Sequence, residues 1–207
     1  MKKLLALAAM LAAGSAQAAY ITTYIDDFDG TSHTVVSSGG ATSSAVGTAT
    51  PTGYARDLTV TSSGAFTYVN VNIGATGNYS HSQGDGITGT STLHFDLGGV
   101  DLTSLGGSNN AFRLLLASVD LPAGIIGLDV DGVSVFTSGI SDTADGHYFD
   151  FLFSDFLGVD FTNVMDISMI VDGSGVSSLD LSVAELGLVC SAARTGDVGL
   201  TREVSAG

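Results

Sequence analysis

The chain has 207 residues, 44% of them hydrophobic, and carries 21 Asp and Glu against 6 Lys and Arg, for a net charge of −15 at pH 7. That balance excludes a nucleic-acid-binding face and an anionic-membrane face, because too few cations are present to neutralise phosphates. The single cysteine, Cys190, excludes an internal disulfide and leaves the fold to its apolar core.

Lys2 and Lys3, the apolar run Leu4 to Ala13 and the small-residue exit at Ala16 and Ala18 form the pattern of a cleaved secretory signal. The apolar run is about ten residues, half of what a spanning helix needs. The sequence therefore predicts cleavage near Ala18, a secreted chain, a folded domain over 19–187 and a disordered tail over 188–207. Between the signal and the tail, Arg56 and Arg113 are the only basic residues apart from histidine.

From residue 19 onward, apolar and polar residues alternate with period two in short runs. They cover Ile21–Phe28, Asp57–Thr61, Phe66–Ile73, Thr92–Asp96, Phe112–Val119, Val133–Phe136, His147–Phe153, Asp166–Val171 and Leu179–Leu186. Each run predicts a strand with one buried and one wet face. Val36 to Pro51 is small, polar and rich in Gly, Ser, Ala and Thr, and predicts a long loop or a weak edge strand. Turns are expected at Gly74–Asn78, Gly98-Gly99, Gly106-Gly107 and Asp172–Gly175. Asp131-Gly132, between Leu128–Val130 and Val133–Val135, predicts a hairpin turn with positive φ at both central residues. About ten short strands at this spacing predict an all-β fold, a single β-sandwich of jelly-roll type.

Ile25–Phe28, Gly53–Val60, Ser80–Gly89, Gly99–Thr103, Phe153–Val164 and Ser178–Val183, in that order and spacing, resemble secreted bacterial exoproteins that carry a PEP-CTERM sorting tail handled by exosortase. The resemblance spans nearly the whole mature domain. It implies an exported protein of biofilm-forming bacteria with a β-sandwich ectodomain. Where that family has Pro-Glu-Pro, an apolar helix and a basic end, this chain has Val189–Ala193 followed by Arg194 to Gly207. Reading bases two and three of each codon with the first base of the next, Ala193 to Glu203 is compatible with Pro-Glu-Pro-Ala-Thr-Leu-Ala-Leu-Leu-Gly. The tail is accordingly expected to be a frameshifted form of the sorting signal, to be checked in the coding DNA.

Few residues suggest chemistry. His33, His81, His94 and His147 lack the spacing of zinc ligands, and His94 falls on the polar phase of its strand. No Gly-x-Ser-x-Gly elbow occurs, although serines and aspartates are too numerous for a Ser-His-Asp set to be read from spacing. Asp129-Val130-Asp131-Gly132 is similar to part of a calcium loop but lacks the distal Glu, and its turn chemistry favours the hairpin. The predicted architecture resembles jelly-roll carbohydrate-binding, galactose-binding-like domains, in which a structural ion ties the first strand to the last. That resemblance implies structural calcium at Asp26 or Asp27 with Asp180; an Asx turn at Asp27 is the favoured alternative.

The expected role is a non-catalytic extracellular exoprotein, structural or associated with a biofilm matrix. The alternative is a carbohydrate-binding module for extracellular polysaccharide, with Tyr54, Tyr68, Tyr79 and Tyr148 as stacking platforms and Arg56, Asn70 or Asn72 as polar partners. A secreted hydrolase is the third reading.

Overall fold

A computed structural model describes residues 21–64, 69–74, 77–121, 125–137, 140 and 146–191. The signal segment, residues 192–207 of the tail and Tyr68 lie outside them. The described residues form thirteen strands: β1 (Thr23–Asp26), β2 (His33–Ser37), β3 (Gly40–Thr48), β4 (Ala55–Ser62), β5 (Val69–Ile73), β6 (Tyr79–Gln83), β7 (Gly89–Val100), β8 (Ala111–Val119), β9 (Ile125–Val130), β10 (Val133–Phe136), β11 (His147–Leu152), β12 (Val164–Gly173) and β13 (Asp180–Val189).

All pairings are antiparallel, and they build two sheets. The first runs β11-β8-β13-β6-β5-β2, with β1 added against the C-terminal half of β13; the second runs β10-β9-β12-β7-β4-β3. The chain winds between them. After β2 it enters the second sheet for β3 and β4, returns for β5 and β6, and from β7 to β13 crosses repeatedly. This winding makes the molecule a β-sandwich of jelly-roll type, as the alternation predicted.

The core lies between the sheets. Leu58 and Val60, Leu93 and Phe95, Leu128 and Val130, and Ile167 and Met169 line the second sheet's inner face; Val71, Phe112, Leu114, Phe151, Leu186 and Leu188 line the first. Phe112, Phe153, Phe156 and Phe161 close one end, with Phe153 and Phe161 stacked at 4.0 Å between ring centroids. Removing this apolar area from water is the main drive to fold.

Several details depart from the sequence reading. Gly98-Gly99 is not a turn but a bulge inside β7: Val164 pairs with Val100 and Asp166 with Asp96, so β7 carries two more residues than β12 across this stretch. Both glycines take positive φ, 66° and 91°, which accommodates the extra length. The domain edge expected at residue 187 falls inside β13, because Leu188 and Val189 are buried core residues. Ser191 follows them, with its amide donating to Asn110 Oδ1 at 2.7 Å. The Asp131-Gly132 hairpin is present, at φ 49° and 83°. Val36–Pro51 contains β3 as an edge strand of the second sheet.

Candidate ligand-binding face

The outer face of the first sheet gathers side chains distant in sequence. In the β8–β11 pair Arg113 stands opposite Asp150 and Leu115 opposite Tyr148. Across the other edge of β8, Arg113 faces Gly187 and Leu115 faces Glu185; β1 then sets Tyr24 opposite Gly187. Directly opposed residues share a face, so Tyr148, Asp150, Arg113, Leu115, Glu185 and Tyr24 form one continuous patch. Their neighbours Phe112, Leu114 and Phe151 point the other way, into the core.

Asp150 holds Arg113 through a two-pronged pair, with Nε to Oδ1 and Nη2 to Oδ2 both at 2.6 Å. Ser191 Oγ donates to Asp150 Oδ2 at 3.0 Å. A planar fork matched to a carboxylate is the most directional ion pair available to a protein. The guanidinium so fixed lies 5.1 Å from the Tyr148 ring centroid. Tyr148 remains 47% exposed. Its ring is thus open to solvent yet held from below by a cation attracted to the π face. Farther along the face, the Tyr24 phenol is pushed above its ordinary pKa, chiefly by the Glu185 carboxylate and then by burial. Tyr148 and Asp27 add to the same shift, so the two tyrosines sit within electrostatic reach of each other. Tyr24 therefore stays protonated, with a hydroxyl able to donate to a ligand.

An exposed flat ring beside a phenol, a carboxylate and an apolar Leu115 suits a ligand with an apolar face and hydroxyl edges. The carboxylates of Asp150 and Glu185 outnumber the one guanidinium, which disfavours anionic ligands.

Of the described tyrosines read as stacking platforms, Tyr54, Tyr79 and Tyr148, only the last lies in this patch. Tyr79 is fully buried on the inner phase of β6, with its hydroxyl donating to Ser91 Oγ, so no sugar can reach it. Tyr54 is half-buried in the loop before β4 and packs against the core. Arg56 is also internal. It shares the inward phase of Leu58 and Val60 and pairs with Asp26. Asn70 and Asn72 lie on β5, away from the patch. Tyr24 and Glu185 were missed in the sequence because they meet only through the β1–β13 pairing. Arg113 was noticed only as a rare cation.

Nor are the three aspartates proposed for calcium brought together. Asp26 stands near Leu186 of β13, six positions from Asp180 and so about 20 Å along an extended strand. Asp26 is occupied by Arg56, and Asp180 takes the hydroxyl of Ser82. Asp27 Oδ1 accepts the Asp29 amide at 3.1 Å, the Asx turn favoured by the sequence. Among the described residues, no three His, Cys, Asp or Glu side chains converge as metal ligands would.

One arrangement on the second sheet has the composition of a hydrolase site. His94 Nδ1 lies 3.3 Å from Ser168 Oγ, and Nε2 lies 3.3 Å from Asp166 Oδ1. Its setting is a flat, wet pair of strands, where backbone amides run into the ladder and do not converge on a developing oxyanion. The trio is a surface hydrogen-bond cluster. His81, the most perturbed histidine, is sealed inside the core.

No family model and no curated protein matches the chain. Among solved structures it is similar to the family 11 carbohydrate-binding module from Clostridium thermocellum, solved in complex with a beta-1,3-1,4-mixed-linked tetrasaccharide. The two share 15% identity over 81% of this chain and 94% of that one, with a TM-score of 0.45.

Proposed function

We propose that the chain is an exported, non-catalytic binding module that takes neutral polysaccharide on the outer face of its first sheet. The observation that carries this reading is Tyr148: an exposed aromatic ring supported by Arg113, which Asp150 in turn fixes. Pyranose rings present an apolar C–H face that packs on such a surface, while their hydroxyls find the Tyr24 phenol and the Glu185 carboxylate at its margin. The acidic balance of the patch and of the whole chain favours neutral over uronate-bearing polymers. Export rests on the first eighteen residues, and kinship with exosortase-sorted exoproteins on the segments that resemble that family.

The test is retention on a panel of neutral and acidic polysaccharides, by pull-down or affinity electrophoresis, for the unmodified chain and for Tyr148→Ala. The reading requires retention on at least one neutral polymer and its loss in Tyr148→Ala with an unchanged unfolding midpoint. No retention on any glycan would leave the passive structural or matrix role. Full retention by the variant would move the site elsewhere.

A further inference from the structure

The described strands with a partner on one side only are unequal, and β1 is four residues long. β2 is five residues long and β10 four, while β11 carries Asp150. β3 is different: nine residues, paired with β4 on one side and with no described strand on the other. Gly40 to Ala45 runs in unbroken register with Ser62 to Asp57, and the irregularity comes only after Ala45. An edge of this kind turns every second N–H and C=O outward, which is the template for adding another strand. Charge, proline, extreme shortness and a central bulge are the usual protections; Gly40–Ala45 has none of them.

Charge sets this side apart further. From Gly30 to Ala55 the sequence contains no Asp, Glu, Lys or Arg, in a chain of net charge −15. Most approaches of one copy to another press carboxylates together and are opposed. Approach along β3 is not. β2, the neighbouring edge of the first sheet, lies on the same side, with the His33 ring against Gly47 of β3. Val36 of β2 is 46% exposed there.

We propose that β3 is a self-association edge: two copies pair β3 with β3 antiparallel about a two-fold axis, continuing the second sheet from one molecule into the next. The occupant is a second copy of this chain because an isologous contact must fit itself. A short neutral run of Gly, Ala, Ser and Thr meets its own reverse without a clash of size or charge in any register. The glycan face lies on the other sheet and stays open in such a dimer.

Sedimentation equilibrium up to about 100 micromolar chain, at low and high salt, tests this together with concentration-dependent amide hydrogen exchange. The expected result is a reversible dimer that tightens as salt screens the net charge, with exchange protection gained at Gly40–Ala45. Ser43→Glu places like charges across the new pair and is expected to weaken the dimer about tenfold or more at an unchanged unfolding midpoint. A chain that stays monomeric, or a dimer whose gained protection lies outside β3, overturns the proposal. So does a folded Ser43→Glu variant that dimerises as well as the parent. Exchange on the unmodified chain decides the matter should the variant fail to fold.

Discussion

Arg56 and Asp26 form an ion pair that crosses the interior of the sandwich, Nη1 to Oδ2 at 2.8 Å, with their side chains 2% and 0% exposed. It ties β4 of one sheet to β1 of the other. Asp26 also accepts the amides of Phe28 and Thr50 at 2.9 and 3.2 Å, which satisfies the carboxylate. Arg56 Nε has no hydrogen-bond partner among the described residues. Burial pushes the Asp26 carboxyl above its ordinary pKa, against the pull of Arg56 and the two amides.

Removing either partner strands a buried charge. Arg56→Met or Asp26→Leu alone is expected to cost about 3 to 5 kcal/mol, whereas the double variant Arg56→Met with Asp26→Leu recovers much of that loss. Urea unfolding of the three variants checks the cycle. Additive losses would show that the two side chains are not coupled.

A second buried polar set spans the core from β6. The Gln83 amide nitrogen donates to His81 Nε2 at 3.2 Å, and His81 Nδ1 contacts Ser91 Oγ at 2.7 Å. The Leu179 amide on Gln83 Oε1 fixes the orientation of the amide, so His81 accepts at Nε2 and is neutral. Burial lowers its pKa from 6.5 to about 4. Between those values the unfolded chain binds a proton that the native chain refuses. Stability therefore falls as pH drops from about 6.5 to 4, by up to about 3 kcal/mol from this residue. Asp26 acts in the opposite sense above its ordinary value, so the His81 part is isolated by difference. Denaturant unfolding at pH 7, 5.5 and 4.5 is expected to show a flatter profile for His81→Gln than for the parent. Parallel profiles would remove His81 as the source.

The same set explains Gly173. A methyl group built there meets Gln83 Nε2 and, at 3.0 Å, the Gly89 carbonyl oxygen. Gln83 cannot retreat, because the two hydrogens of that nitrogen are shared among His81 Nε2 and the carbonyls of Gly89 and Gly173, which lie at 3.0 and 3.2 Å. Gly173→Ala is expected to destabilise by about 2 kcal/mol or more, and thermal unfolding measures it. A midpoint within error of the parent would contradict the packing described.

On the binding face, Arg113→Lys keeps the charge but loses the fork that Asp150 grips. It is expected to weaken glycan binding about tenfold through a less fixed Tyr148, while Tyr79→Phe, in the core, leaves affinity unchanged. Titration calorimetry with a retained soluble glycan separates the two.

These side chains show where the sequence was legible and where it was not. Alternation placed the strands, and Asp131-Gly132 announced its own hairpin. The inward position of Arg56 was also readable, since it shares the phase of Leu58 and Val60, yet its charge argued for the surface. β6 gave no apolar alternation because its inward residues are Tyr79, His81 and Gln83. Gly98-Gly99 looks the same in sequence whether it turns a chain or bulges a strand. The binding face needs register: Arg113 meets Asp150 and Tyr148, and Leu115 meets Glu185, only after β8 has chosen β11 and β13 as neighbours.

The central claim is most directly tested by mapping backbone amide shifts by NMR as a neutral oligosaccharide, cut from a retained polymer, is titrated into the chain. The amides of Arg113, Leu115, Tyr148 and Glu185 are expected to move together and to saturate with one affinity. Shifts confined to β4, β7 and β12 of the opposite sheet, or none at saturating sugar, would contradict the account.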